Sequence, residues 1–470
     1  MARASGSVRK AMKGSSDDDR ISNLPDSMIF HILSFLQTKD VVVTSVLSKR
    51  WKSFWTKVNT LEFKSRDEDK KESKGNKSMT FPQFVNNVLF RNDAQHLDKF
   101  RLRWIDSGCN AWYVNMWVNQ AIIRNVRYLC LRVDNSDIRL PSNLFTSGTL
   151  ETLLSQGHFL FKVPQVVCLP KLKVLGLNDV IYESAESFQT LISSCPVLEH
   201  LFIQCSGLHD SKILYKISSA SLRTLHMCSK NSPAYRIQGT GKLEIDAPLL
   251  EWMYLEDYNW KEFSVTCPAS LTNVILSFNL SGCPFDIGRC NLITNLIKTL
   301  NNVRSLELKG TIIKALSYTA TPMSTTFERL TKLDIHCGCG EWSCLSSVLQ
   351  CVNELQVLKF TKARCDQLCA HGECWSEPKD IPKCLSTRSL EEISFRGFQG
   401  LKDEIGMVSY VLKHGLGMRR IDLSSGVCEP KEELQILKKV MAIPSCSPAS
   451  CEIYFNRDAL PRCCCCRPPA

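Results

Sequence analysis

The sequence predicts an α/β chain in three parts. A short helical segment lies at the N-terminus, an irregular solenoid of strand-bearing repeats follows, and a C-terminal αβ capping module ends it. Three observations carry this. Apolar residues fall at helical spacing between Asp19 and Leu61. The phrase apolar-x-x-apolar-x-apolar then recurs eleven times between Val126 and Leu423. Finally, the stretch from Trp375 to Phe455 reads as strand, helix, strand, helix, strand.

In the N-terminal segment Pro25 suits the first turn of a helix, where a missing N–H costs nothing. Ile29, Ile32, Leu33 and Leu36 then fall at i, i+3, i+4 and i+7, one apolar stripe. After Gln37 to Lys39, Val43, Val46, Leu47 and Trp51 repeat the spacing, and Trp51, Phe54, Trp55 and Val58 carry it on. About forty residues is near the lower limit for folding alone, so this segment is expected to lean on a partner. Leu24-Pro25-Asp26, Ile32-Leu33, Leu36, Asp40-Val41-Val42 and Ser45 to Trp51 together resemble the F-box. That resemblance implies docking onto a Skp-type adaptor and, through it, a cullin-based ubiquitin ligase. The residues it assigns to the adaptor are Leu24, Pro25, Ile29, Ile32, Leu33, Leu36, Val46, Leu47 and Trp51.

Residues 1–18 are small, polar and charged, and are expected to form a disordered tail ahead of the F-box at 19–61. A charged linker is expected at 62–80, where Lys64 to Lys77 mixes acids and bases with no apolar residue. Beyond it, FPQFVNNVLF and Ala111 to Arg124 predict helices, and KFRLRW and RYLCLRV predict strands.

The eleven phrases begin with Val126, Leu129, Leu131 and continue from Leu172, Leu198, Leu222, Leu250, Leu271, Val303, Leu330, Leu355, Leu390 and Met418. After a wider first gap they recur about every 20 to 35 residues, which brackets the leucine-rich-repeat period. Each is read as a short parallel strand with alternate side chains pointing inward, unable to bury its face without neighbours. Ala185 to Ser194 and Asn291 to Leu300 carry helical spacing and are expected on the opposite side. CPVLEHLFIQCSGL, from Cys195, is similar to the leucine-rich repeats that follow F-boxes in plant proteins, and the repeats are placed at 81–374. Most copies lack the asparagine usual after the strand.

Trp375, Pro378, Pro382, Cys384 and Leu385, then Leu390 to Gly400 with Glu404, Val408 to Gly415, Met418 to Ser425 and the strand near Cys451 to Phe455, resemble the FBD domain. It is placed at 375–455, followed by a Cys-rich tail at 456–470. The resemblance implies no activity, and we read the module as a cap.

The composition, 44% hydrophobic and 22% charged, is that of a soluble protein. Neither a signal-peptide core nor a run of about eighteen apolar residues is present, so a nuclear or cytoplasmic protein without a membrane partner is expected. The 24 cysteines include many scattered singly, as at Cys130, Cys195, Cys205 and Cys228, and these are read as small buried hydrophobes in a reducing compartment. The net charge of +11 is read as a solvated basic surface, because no helix-turn-helix, zinc-finger or basic-aromatic groove signature points to nucleic acid.

Phosphate loops, nucleophile elbows and H-E-x-x-H are all missing, so no catalytic residue and no cofactor is assigned. Cys365, Cys369, His371 and Cys374, preceded by Cys337, Cys339 and Cys344, have soft-ligand chemistry but not the spacing of a common zinc finger, and are read as surface or packed thiols. Cys463 to Cys466 lack a second membrane signal and are read as an oxidation-prone tail. The resulting expectation is a non-catalytic substrate receptor of a Skp-cullin-F-box ligase, whose repeats hold a protein substrate. The alternative is an interaction scaffold using the same repeats without ubiquitin transfer.

Overall fold

The computed structural model describes residues 24–65, 79–105, 109–134, 138–182, 185–205, 214–229, 242–257, 262–278, 287–317, 326–337, 345–362, 377, 380–425, 430–443 and 451–457. Residues 1–18, most of the expected linker, Cys339, Cys344, Cys365, Cys369, His371, Cys374 and Cys463 to Cys466 lie outside the described residues. The chain forms two compact units, Met1–Asp134 and Asn135–Ala470.

The first unit opens with helices α1 (Asp26–Leu33), α2 (Thr38–Val43) and α3 (Trp51–Phe54), with single 3-10 turns at 44–46 and 55–57. Strand β1 (Thr60–Lys64) follows directly and runs through the expected F-box boundary into the stretch read as linker. Next come α4 (Phe81–Arg91), β2 (Lys99–Trp104), α5 (Ala111–Ile123) and β3 (Tyr128–Val133), the order the sequence predicts. Thr80 and Gln83 cap α4 reciprocally, each side chain taking the other's backbone N–H at 3.4 and 3.0 Å.

The strands β1, β2 and β3 are parallel neighbours, and Leu61 and Phe63, Phe100 and Leu102, and Leu129 and Leu131 point inward, all buried. Val58-Leu61-Phe63 and Leu97-Phe100-Leu102 are thus two further copies of the repeat phrase. Periodicity places Val58 on a helical stripe instead, because Trp51, Phe54 and Trp55 precede it at helical spacing. Trp117 and Trp104 fill the layer between strands and helices, 5.4 Å apart, with the Trp117 indole N–H donating to Asn86 Oδ1 at 2.7 Å.

In the second unit twelve described strands form one parallel sheet in chain order: Thr152–Gln156, Val174–Asn178, His200–Cys205, Thr224–Ser229, Trp252–Asp257, Asn273–Phe278, Ser305–Gly310, Lys332–Cys337, Val357–Lys362, Glu392–Arg396, Arg420–Ser425 and Glu452–Arg457. Every apolar position of the eleven phrases is buried, none more than 5% exposed. The wide gap after the rung of Leu131 is filled by Leu150-Leu153-Ser155, a rung whose third position is a buried serine; its hydroxyl donates to Gly176 O at 3.4 Å.

The opposite side of the second unit is only partly helical. Ala185–Ser193 and Ile287–Thr299 are helices where helical spacing predicts them. Elsewhere two small parallel sheets take their place, one of Ile138–Arg139, Phe159–Phe161 and Ile181–Tyr182, the other of Leu214–Ser218, Lys242–Asp246 and Glu262–Thr266. Phe263 meets Phe278 at 6.0 Å and Tyr215 meets Phe188 at 5.1 Å, so these sheets close the same core.

The C-terminal strand-helix alternation appears as predicted: Glu392–Arg396, helix Lys402–His414, Arg420–Ser425, helix Pro430–Met441 and Glu452–Arg457. The sheet runs into it without a break. Cys195 is buried as predicted, and burial pushes its thiol up to about 12. Cys130 and Cys228 differ from the expectation: both are half-buried at alternate, solvent-side positions of their strands.

Candidate adaptor-docking face and strand-ladder surface

The N-terminal helices bury one set of apolar side chains among themselves. Ile29 and Leu33 point inward from α1, Val41 from α2, and Trp51 and Phe54 from α3. Phe54 stands edge-on to Phe30 at 5.1 Å and to Trp51 at 6.3 Å. Arg50 clasps the two ends of the segment: one guanidinium nitrogen donates to Leu24 O at 2.7 Å and pairs with Asp26, while the group lies over the Phe54 ring at 5.6 Å.

Three polar contacts tie the elements of the first unit together. Buried Thr38 accepts the Glu62 N–H at its hydroxyl, 2.7 Å, satisfying an amide of β1. Buried Asn92 donates to Val58 O at 2.9 Å and accepts from Arg124 at 3.0 Å.

A second set of apolar residues is left outside. Phe35, Val43, Val46 and Leu47 are 76%, 57%, 80% and 64% exposed, and Met28, Ile32 and Pro25 are exposed as well. Of the residues assigned to the adaptor, Pro25, Ile32, Val46 and Leu47 therefore stand on the surface. Leu24 and Leu36 are half-buried, while Ile29, Leu33 and Trp51 are enclosed by their own helices. Sequence reasoning did not assign Met28, Phe35 and Val43. Met28, Ile32 and Phe35 stand at i, i+4 and i+7, a second apolar face on a segment that already has one.

The solvent side of the second unit's sheet changes character along the chain. Strands from Thr152 to Ser229 place no Asp, Glu, Lys or Arg at these positions. Phe202, His226, Trp252 and Tyr254 form a half-buried aromatic run, with His226 4.4 Å from Tyr254 and 6.1 Å from both Phe202 and Trp252. Burial lowers the His226 pKa and raises that of the Tyr254 phenol, whose O–H donates to Glu256 at 3.2 Å.

Later rungs carry a charged network. His336 Nε2 is 3.1 Å from Glu307 and 3.6 Å from Asp334, and Lys309 is 2.9 Å from Glu307. The donor atoms of Glu307, Asp334 and His336 lie within 4.8 Å of one another. Lys309 already supplies a cation there, and Lys332 and Lys359 act on Asp334, so the chemistry fits an ion-pair network rather than a metal centre.

Comparison with known proteins finds three family models along the chain. The F-box domain model matches residues 21–63, a model for the leucine-rich repeats of the FBD-associated F-box protein At5g56370 matches 114–272, and the FBD model matches 377–420. The F-box/FBD/LRR-repeat protein At4g26340 of Arabidopsis thaliana is 32% identical over 446 residues, covering 92% of this chain and 99% of the relative. The chain belongs to the F-box/FBD/LRR-repeat family.

Two more Arabidopsis thaliana members, At5g56420 and At4g00160, are 32% and 31% identical, over 93% and 90% of this chain and 99% and 89% of their own. F-box domains generally bind Skp-type adaptors, and F-box/LRR proteins are generally non-catalytic adaptors. The exposed apolar face described above belongs to the F-box, and the strand-helix alternation after Glu392 belongs in part to the FBD.

Proposed function

We propose that this chain is the substrate-recognition subunit of a Skp-cullin-F-box ubiquitin ligase, working in the nucleus or cytoplasm. Its F-box docks a Skp-type adaptor and its strand ladder holds a protein substrate. The observation that carries the reading is the F-box surface: Phe35, Val43, Val46 and Leu47 stay in water while the helices satisfy their own core without them. Covering such side chains stabilises a complex by about 1.5–3 kcal/mol each, enough for several to offset the cost of association. Ile29, Leu33 and Trp51 then act by shaping this face from beneath, and Pro25, Ile32, Val46 and Leu47 by touching the adaptor. Ubiquitin chemistry lies with the partners; this chain raises the effective concentration of substrate near the transfer site.

The test is capture of a purified Skp-type adaptor by the full chain. Val46→Glu/Leu47→Glu is expected to abolish capture, while Val166→Glu, on an exposed position of the second unit, keeps it. Equal capture by both variants would remove the docking face from the reading. Reconstitution with cullin and a charged ubiquitin carrier then asks for transfer to a co-captured partner; capture without transfer to any partner favours the scaffold reading.

A further inference from the structure

The solvent side of β1, β2 and β3 carries Lys64, Lys99, Arg101, Arg103 and Arg132 against one carboxylate, Glu62. Glu62 is already engaged, 3.7 Å from Lys99 and 3.4 Å from Arg101. These two cations also lie over the Tyr128 ring at 5.6 and 5.9 Å, and Arg101 donates to the Tyr128 hydroxyl at 3.3 Å. Their charge is therefore largely spent within the sheet.

The other three are arranged differently. Pairing register sets Lys64 opposite Arg103 and Arg103 opposite Arg132, so three cations stand abreast across adjacent strands. Among the described residues none of the three has an ion-pair partner. Like charges directly opposite one another in a sheet oppose its pairing, so no contact among the described residues accounts for this row. Lys64 and Arg132 are exposed and Arg103 is half-buried, which leaves all three within reach of a ligand.

We propose that Lys64, Arg103 and Arg132 form a binding site for a phosphorylated segment of a protein partner. The inference rests on the substrate-receptor reading for the partner being a protein, and it adds the chemistry by which that partner is recognised. Adjacent strands are about 4.8 Å apart, so the row spans about 10 Å, the scale of one phosphoryl group and its flanking residues. Two guanidinium forks and an ammonium match a phosphate's near-double charge and three acceptor oxygens. A single carboxylate, with one charge and two oxygens, leaves part of the row unmatched. Charge-driven nucleic-acid affinity grows with the number of phosphates neutralised, and a row of three cations neutralises few.

The experiment measures binding of a fluorescein-labelled alanine peptide carrying one phosphoserine to the full chain by fluorescence polarisation, beside its unphosphorylated and aspartate-substituted forms. Saturable binding is expected, at least tenfold weaker for both control peptides, and weakened by added salt or inorganic phosphate. Arg103→Gln/Arg132→Gln is expected to lose at least tenfold in affinity and Lys64→Gln a smaller factor, with Lys413→Gln/Lys438→Gln, at exposed positions of the C-terminal helices, unchanged. Equal binding of all peptides, tighter binding of a duplex DNA of similar charge, or no effect of the arginine substitutions would overturn the proposal. Adaptor capture by the same variants separates the two readings. Retained capture without phosphopeptide binding sinks this site alone, and phosphopeptide binding without capture leaves the site standing while the ligase reading falls.

Discussion

Lys362 ends one strand of the ladder and is 5% exposed, and its ammonium donates to Glu404 Oε1 at 2.6 Å and to Gln399 Oε1 at 3.4 Å. The other Glu404 oxygen accepts the N–H groups of Gln399 and Leu401 at 2.8 and 3.1 Å, so one fully buried carboxylate caps helix Lys402–His414 and ties it to the preceding rung. Lys362→Ala strands that charge and is expected to cost about 3–5 kcal/mol locally, read as faster amide exchange in residues 402–414; Lys362→Met/Glu404→Gln, which buries no charge, recovers most of it. Equal exchange in both variants would show that the pair is no charge lock. Glu307 responds to pH instead. Its hydrogen bond from His336, helped by Lys309 and opposed by burial, holds the carboxyl down from 4.5 to about 2. A depressed carboxylate adds stability that is full above its unfolded pKa and is lost as pH falls from 4.5 toward about 2. Asp334, raised chiefly by burial, opposes that loss. Glu307→Gln is therefore expected to flatten the fall of the melting temperature across that window, and an unchanged slope would count against the network.

The F-box helices show where periodicity misleads. Val43, Val46, Leu47 and Trp51 share helical spacing, yet only Trp51 is buried, because the helix breaks into a 3-10 turn at 44–46 and Val41 with Thr38 turns inward instead. Apolar spacing identifies a face without saying what covers it, and on a segment with two such faces it cannot choose between core and dock. Arg50 lies outside the apolar face but fixes its frame by joining Leu24 and Asp26 to the start of α3. Arg50→Ala is expected to weaken adaptor capture severalfold and to speed proteolysis within residues 24–58, two effects a simple loss of surface charge would not produce together. Unchanged proteolysis would remove the clasp from the argument. The two small sheets of the second unit were not legible either. Tyr215, Ile217, Leu243 and Ile245 alternate like any strand, but nothing local sets them across the core from the main ladder.

Across the whole molecule each rung depends on its neighbours. Leu276, fully buried between the rungs that carry Leu255 and Leu308, has its register set by strands 21 and 32 residues away in the repeat phrase's own count, from Leu255 to Leu276 and from Leu276 to Leu308. Leu276→Asp is expected to raise amide exchange in strands 252–257, 273–278 and 305–310 while adaptor capture, which belongs to the other compact unit, persists. Loss of capture would mean that the two units unfold together. The sequence by itself determined which residues of the eleven repeated phrases face the core of the ladder, since the inward positions of each are apolar and the copies repeat the demand, whereas the rungs of Val58, Leu97 and Leu150, the last with a buried serine, escaped it. It also determined the C-terminal strand-helix alternation, where each element carries its own period. Only the tertiary structure decided which F-box side chains remain in water, because that depends on how the helices pack against one another and on β1. It alone set Lys64, Arg103 and Arg132 abreast, since strand register joins residues far apart in the chain, and no local pattern in any one strand records it.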